Sequence, residues 1–499
     1  MRNYTKRTVF AVLVVFLFST LAALFSYLFR LLLARRLSLE DFGLFFSLVA
    51  FGGILFLLKD MGLSQSLYYF VPRLASKKDK GKVRGIVSKS LKINFFTAAA
   101  VSILMIILSG FLAERYFHTE KIYIILLFAV SFFLNCLELL FQGFFGSFQN
   151  QVLFSVHNLM RSVFVFFICL TGFFLFSGIV VPVVAYILTY ILLIAIFGFL
   201  FFKKVFPDYF SLKSKSEFPV KKLFLFGLSA SMLSLGFLLI ASTDTLVLTY
   251  FRSLSEVGLY NAVLPIINLM LYLPIAAGIV ILPMSGELWL KKDVGSLKFI
   301  IEKITKYLFI FLIPIGMILF LYPELALRIL FGQDFVLASS ALMILSIGAI
   351  FYGISNFNLS VLFGVTGPKI NTIIWASAAI FNVIANIILV PFYGIMGAAI
   401  ATSISYILLF LLSSIFLYRR LEMPFDYKRY ILIFVLCSIC MYLVSFLKNM
   451  MFASIYLKIV FLVAVSLLFY GLALLLFRLI TVDEMNSMIR MFFSKKSKA

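Results

Sequence analysis

Apolar runs long enough to cross a hydrocarbon core about 30 Å thick alternate with short polar connections along nearly the whole chain. About fourteen spans of roughly 20 residues or more can be drawn: 9–34, 42–71, 88–111, 121–148, 155–177, 179–202, 221–250, 258–287, 300–322, 337–365, 370–391, 394–418, 429–448 and 453–480. Only helices or closed barrels satisfy the backbone inside lipid, and spans of this length predict an all-α polytopic membrane protein. Several spans exceed the bilayer thickness, so bends are expected at Gly52-Gly53 in the second and at Pro265, Pro274 and Pro283 in the eighth.

Two of the polar connections nearly coincide in sequence. Ser38-Leu39-Glu40-Asp41-Phe42-Gly43-Leu44-Phe45 follows span one, and Ser253-Leu254-Ser255-Glu256-Val257-Gly258-Leu259-Tyr260 follows span seven. Each has an arginine just upstream (Arg36, Arg252) and an acid two places before a glycine. Pairing with Asp41 and Glu256 is the expected role of those arginines. The echo continues in order: Phe111 to Phe117 recurs as Glu324 to Leu330, and Gly178, Tyr190 and Lys203-Lys204 recur as Gly394, Tyr406 and Arg419-Arg420. Anchors repeating at one offset predict a duplicated six-span unit. An even number of spans returns the chain to the same side, so the two copies share one orientation, about an axis along the membrane normal, with a cavity between them. The expected organisation is a first lobe at 1–204 (spans one to six), a cytoplasmic linker at 205–220, and a second lobe at 221–420. Residues 421–499 hold spans thirteen and fourteen and a basic cytoplasmic tail, in which Asp483 to Lys498 is either an interfacial helix or plain solvated chain.

Composition narrows the class. Of 499 residues 64% are hydrophobic and only 13% charged, too few charges to cover a soluble domain of this size. The net charge of +23 lies in inter-helix loops rather than in an arginine-rich domain or stacking groove, which argues against nucleic acid. With both termini in the cytoplasm, about 33 basic residues fall inside and about 8 outside, the bias that sets orientation. The first apolar run is long enough to remain as a span, so no cleavable signal peptide is expected. Cys136, Cys169, Cys437 and Cys440 all lie in apolar runs, with no zinc or disulfide spacing.

Catalytic signatures are missing. Gly81 to Gly85 and Gly364 to Lys369 lack the Walker spacing, and Gly367-Pro368-Lys369 reads as a tight turn. His118 and His157 are the only histidines and fall near opposite faces, so neither a metal site nor a triad is supported, and no cofactor is expected. No outer loop can hold a catalytic domain. The chain reads as a transporter and not an enzyme.

Intramembrane polar groups then carry the information, because a charge at mid-bilayer costs roughly 2.5–3.5 kcal/mol unless it faces a cavity or a partner. The candidate cavity residues are Arg30, Lys59, Asp60, Glu138, Gln142, Asp244, Asn261, Asn268 and Asn356. Asn135, Glu138 and Gln142 share one face of span four. Bland roles stand beside these: Arg30 snorkels, Asp60 neutralises a neighbouring helix, Glu138, Asp244 and the asparagines join helices, and Arg161 is a positive-inside anchor. If Arg30 and Lys59 face the cavity, guanidinium fork and ammonium point charge suit a phosphate. A negative interior favours outward movement of such an anion by about 2.3 kcal/mol per charge per 100 mV.

The chain resembles the polysaccharide and lipid-linked oligosaccharide flippases of the multidrug/oligosaccharidyl-lipid/polysaccharide exporter superfamily. The resemblance rests on the fourteen spans, the duplicated lobe and Arg-x-Leu-Ser-x-Glu-x-x-Gly at Arg35 to Gly43. Asp60-Met61-Gly62-Leu63, Phe363-Gly364 to Pro368-Lys369, and Phe392-Tyr393-Gly394 to Gly397-Ala398-Ala399 add to it. It implies a two-lobe transporter like the multidrug and toxin extrusion (MATE) exporters, working by alternating access as a monomer in the cell membrane. The implied cargo is a polyprenyl-diphosphate oligosaccharide for cell-surface polymer assembly, with basic residues of the first two spans lining the cavity. A proton or sodium ion is a possible coupling partner. The competing readings are a multidrug or cation antiporter of the same fold, using Asp60, Glu138 and Asp244, and, further off, a membrane glycosyltransferase or a scaffold.

Overall fold

A computed structural model describes residues 2–77, 79–212, 219–423, 426–445, 455–477 and 479. The expected tail helix at Asp483 to Lys498 lies outside them. In chain order the helices are α1 (Arg2–Arg36), α2 (Leu39–Asp60), α3 (Leu63–Ser76), α4 (Lys80–Ile107), the single turn α5 (Ser109–Phe111), α6 (Ile122–Ser147), α7 (Gln151–Leu175) and α8 (Val180–Leu200). They continue as α9 (Val220–Phe251), α10 (Leu254–Met270), α11 (Tyr272–Leu290), α12 (Val294–Leu321), α13 (Pro323–Leu330), α14 (Ser339–Thr366), α15 (Pro368–Leu421), α16 (Tyr427–Ser445) and α17 (Ile455–Leu476). Every regular element among the described residues is helical, as the spans require.

Ten of these helices are long and apolar enough to cross a membrane by length and composition alone. The helices break and join at places the apolar runs did not show. Span two ends as a straight helix at Met61 and Gly62, both left-handed (φ 44° and 77°), and resumes as α3. Gly52-Gly53, the expected bend, stays helical inside α2. Span eight breaks at Leu271, just ahead of Pro274, whose missing N–H costs nothing in the first turn of α11. Pro265 and Pro283 sit inside helices that continue past them. Spans eleven and twelve appear as one helix folded at Gly394 (φ 53°, ψ −131°).

The duplication is visible in the caps. Ser38 Oγ accepts from Asp41 N at 3.1 Å and starts α2, with Glu40 and Asp41 in its positively polarised first turn. Ser253 does the same for Glu256 N at 3.3 Å ahead of α10. Asp79 caps α4 through Lys82 N at 3.0 Å, and Asp293 caps α12 through Ser296 N at 3.1 Å. The glycine pair predicted from the echo also matches: Gly178 (φ 85°) precedes α8 and Gly394 opens the second half of α15, both in a region that side chains with Cβ avoid.

The chain divides into two compact units. The first comprises residues 1–265, 327–338 and 375–401. In it α1 packs along α7, α6 against α4 and α8, and α9 against α2 and α3. A phenylalanine-rich core at the end carrying the basic loops joins Leu67, Phe70, Ile86, Phe144, Phe145, Phe197 and Phe201, with Phe144 and Phe201 stacked at 4.9 Å. Burying each such ring removes apolar surface worth roughly 1.5–3 kcal/mol. The second unit comprises residues 266–326, 339–374 and 402–499. Its helices α11 and α12 pack on α14, α12 also meets α16, and α16 pairs with α17. Tyr352 stacks on Tyr406 and Phe309 on Tyr430, each at 4.3 Å.

Candidate functional site

The first unit encloses a cavity of about 590 Å³, lined from α1, α2, α6, α7, α8 and α9. Its wall is rich in aromatic rings, with Phe29, Phe45, Phe46, Phe128 and Phe237 among the lining residues. Two cations enter it, Arg30 from α1 and Arg161 from α7. Arg30 lies 4.5 Å above the Phe46 ring and donates from Nη1 to the Asn261 carbonyl at 3.3 Å. Arg161 donates from Nη2 to Asn158 Oδ1 at 3.2 Å, one turn below it on α7. Neither guanidinium has a carboxylate within 4.0 Å among the described residues, and no acid lines the cavity. Asn135, Tyr186, Tyr190 and the serines at 26, 131 and 162 supply its neutral polar groups. Arg30 and Arg161 thus bring two guanidinium groups to one cavity, and Arg161 also feels the Glu138 carboxyl electrostatically.

Both ends of this stretch of α2 are shut by backbone contact. Near its start the two echoed octapeptides meet: a Cβ on Gly43 would lie 1.8 Å from the Leu254 oxygen, and one on Gly258 would lie 2.4 Å from the Leu39 oxygen. Leu39 and Leu254 hold the same place in the repeat, so each copy's glycine receives the other copy's carbonyl. Beyond the other end, a Cβ on Gly62 would lie 2.0 Å from the Gly227 oxygen, and Ser66 Oγ donates to the Leu223 carbonyl at 2.5 Å. The α2 residues lining the cavity, Phe45 to Leu57, lie between these seams.

Of the nine residues expected at the site, Arg30 alone lines this cavity. Lys59 and Asp60 are buried at the end of α2 but face other partners. In the amide orientation that satisfies both neighbours, Asn94 accepts from Lys59 Nζ at 2.9 Å and donates to the Cys136 carbonyl at 3.2 Å. Asp60 accepts from Ser64 N at 3.3 Å and Ser64 Oγ at 3.0 Å, and so secures the start of α3 across the break. Glu138 is wholly buried with its Oε1 3.3 Å from Nε2 of His157, itself wholly buried on α7. Gln142, on the same face of α6, is half-buried away from the cavity.

Asp244 is buried on α9, where it accepts from Tyr260 OH and from Asn386 Nδ2 at 2.8 Å. Asn261 is buried beside it, donating to Thr245 Oγ1 at 3.2 Å and to the Val257 carbonyl at 3.0 Å. Asn268 and Asn356 belong to the second unit, the former exposed and the latter half-buried with its carbonyl accepting from Ser360. Arg252 pairs with Glu256 as expected, Nε lying 3.1 Å from both carboxylate oxygens. The expected partner of Arg36 is taken: Asp41 binds Lys121 at 2.6 Å.

Tyr186 and Tyr190 are cavity residues that sequence reasoning passed over, and Arg161 is one it read as a positive-inside anchor. Starting α7 at 155 put Arg161 near the lipid headgroups. The helix starts at Gln151, capped by Asn150 through Leu153 N at 3.1 Å, which sets Arg161 about 15 Å along the axis. Tyr186 and Tyr190 stand four apart on an otherwise apolar helix, a spacing that places two hydroxyl groups on one face.

Comparison with known proteins places this geometry. The family described as polysaccharide biosynthesis protein matches residues 10–289. An uncharacterised membrane protein of Methanocaldococcus jannaschii is 30% identical over 446 residues, 86% of this chain and 88% of that one. The probable low-salt glycan biosynthesis flippase Agl15 of Haloferax volcanii is 23% identical over 219 residues, 44% of this chain and 46% of that one. Among solved structures, the lipid II flippase MurJ in an inward closed conformation superposes with a TM-score of 0.74 over 95% of this chain and 100% of that chain, at 18% identity.

Proposed function

Because the chain belongs to the polysaccharide biosynthesis protein family, we propose that it is a flippase moving a polyprenyl-diphosphate-linked oligosaccharide from the cytoplasmic to the outer leaflet. The observation that carries this reading is the pair Arg30 and Arg161 in an aromatic cavity that no acid lines. A diphosphate offers each fork a bidentate acceptor, and the aromatic wall suits sugar faces or the first isoprene units. A drug-cation antiporter would want carboxylates at the same place. Asp60, Glu138 and Asp244 are instead turned to Ser64, His157 and the Tyr260–Asn386 pair.

In this reading the basic-loop face is cytoplasmic, the termini lie inside, and the chain acts as a monomer in the cell membrane without catalysing a reaction. The lobes at 1–204 and 221–420 rock about the repeat axis, the Gly43–Gly258 seam closes the outer exit, and the Gly62–Gly227 seam closes the inner entrance. Asp244, with the Asn386 carboxamide and Thr245 hydroxyl near it, is the proposed place for a coupling proton or sodium ion. Movement of the diphosphate down the membrane potential supplies the remaining drive.

The test is translocation of a tagged polyprenyl diphosphate in reconstituted vesicles. Each charge-assisted contact is worth about 1.5–3 kcal/mol, so Arg30→Ala and Arg161→Ala should each slow export at least about tenfold with the folded yield unchanged. Normal export in the double variant would remove the cavity from the mechanism.

A further inference from the structure

A second concave site lies on the basic-loop face of the first unit, where α3 meets the start of α9. It measures about 750 Å³ and takes Arg73 and Lys77 from one side and Lys221 and Lys222 from the other. All four cations are exposed, and among the described residues no acid lines the groove. In the same unit Lys80 and Lys82 have carboxylate partners, Asp208 and Asp79. Among the described residues the groove cations have none.

The floor gives the charges a direction. Tyr69 of α3 and Phe226 of α9 lie with ring centroids 4.1 Å apart across the two helices. The Arg73 guanidinium sits over the Tyr69 ring, 3.5 Å from its centroid. The groove thus joins a cationic rim to an aromatic floor, as a lipid-borne phosphate would require.

Its position links it to the cavity. Helix α2, continued across the Met61–Gly62 break as α3, lines the cavity with Phe45 to Leu57 and the groove with Tyr69 to Leu74. Helix α9 lines the groove with Leu225 and Phe226 and the cavity with Phe237 and Leu238, about 18 Å further along its axis. Between the two sites the helices are in backbone contact at Gly62 and Gly227.

We infer that this groove is a loading site for the diphosphate of the lipid-linked substrate, held by Arg73, Lys77, Lys221 and Lys222 before α3 and α9 part. The inference rests on the flippase reading, since it takes that substrate and that orientation. A diphosphate bound here touches both helices, so capture and opening of the inner seam act on the same pair of elements.

The experiment uses the full chain in phosphatidylcholine nanodiscs with a photoactivatable farnesyl diphosphate as probe. Labelling should map to α3 and to α9 near Tyr69 and Phe226, and excess unlabelled farnesyl diphosphate should compete. Lys221→Gln/Lys222→Gln and Arg73→Gln/Lys77→Gln should each weaken it about tenfold or more, with melting temperature unchanged because the side chains are exposed. Arg30→Ala/Arg161→Ala should leave it intact; loss of export in that variant with groove labelling retained separates failure of the cavity from failure of the groove. Labelling unchanged in both groove variants would overturn the inference. So would equal competition by phosphatidylglycerol, which marks a general anionic-lipid site, or by inorganic pyrophosphate, which marks a site indifferent to the prenyl chain.

Discussion

The crossing of the two octapeptides yields the sharpest mechanical prediction. Gly43→Ala introduces a methyl group 1.8 Å from the Leu254 oxygen and 2.8 Å from Gly258 N, where real Cβ atoms keep beyond 3.0 Å. Both obstacles are backbone, so no rotamer change relieves them. In isolation the change favours the helix, since alanine gains about 0.8–1.0 kcal/mol over glycine there. The clash opposes it with about 1–3 kcal/mol of overpacking, which applies only while the seam is closed. The expected result is a folded protein whose closed seam is disfavoured by about 5–150-fold. Gly258→Ala presses on the same gap from the other copy, at 2.4 Å from the Leu39 oxygen, and should act in the same direction. The two effects should not add, because once the strands have separated the second methyl group meets less resistance.

The assay is the labelling rate of a cysteine placed at cavity residue Val49, by an impermeant maleimide added from the outer side, with the native cysteines replaced. Gly143→Ala is the control: it lies on α6 with no heavy atom within 4 Å of its Cβ, so it carries the propensity gain without the clash. Faster labelling in the two seam variants and an unchanged rate in the control are expected. Should Gly43→Ala label no faster than the parent while melting at or above its temperature, the seam is not a gate and the reasoning fails.

Other consequences are more local. Glu138 and His157 lie wholly buried 3.3 Å apart with no hydrogen bond between them, so Glu138→Leu/His157→Leu should be neutral or stabilising in thermal or denaturant unfolding; clear destabilisation would refute this. The Lys82 contacts hold the Asp79 carboxyl below the usual carboxylate range, and those from Ser296 do the same for Asp293. A depressed folded pKa means that each cap stabilises above the unfolded value near about 4 and is lost as pH falls through the folded one. Asp79→Ala and Asp293→Ala should therefore lower the melting temperature at pH 7 and converge on the parent under acid, and a pH-independent difference would contradict the assignment.

How much was readable in the chain follows from which forces are local. Spans, caps and the repeat depend on patterns a few residues long, so Ser38, Ser253, Gly178 and Gly394 stand where the echo puts them. Helix interruption was harder to see. Gly52-Gly53 looked like a hinge, yet a glycine in a packed helix bends nothing unless a neighbour or a left-handed residue forces it, and that residue was Met61. The site was legible only in part, for a related reason. Lys59, Asp60 and Glu138 are charged and intramembrane, which marks them as partnered without saying by whom. Asn94 and His157 come from other helices whose register no single span reveals, and Ser64 lies four residues past Asp60, beyond the break at Met61. Arg161 failed differently, through a helix start placed four residues late.

The repeat also explains why one half carries the cations. The offset that takes Ser38 to Ser253 takes Arg30 to Thr245 and Phe46 to Asn261. In the first copy Arg30 lies over Phe46; in the second, Thr245 and Asn261 hydrogen-bond to each other. The copies then interlock, since Arg30 donates to the Asn261 carbonyl, so equivalent positions of both halves meet in one cluster. Had the halves stayed identical, two guanidinium groups would face one another across the pseudo-symmetry axis with no acid between them, a repulsion that a low-dielectric site magnifies. Replacing one by threonine removes that conflict and leaves Arg30 an N–H edge for a ligand. The second cation of the cavity comes from α7 instead, and in the proposed reading Arg30 and Arg161 share one anion without standing symmetry-related.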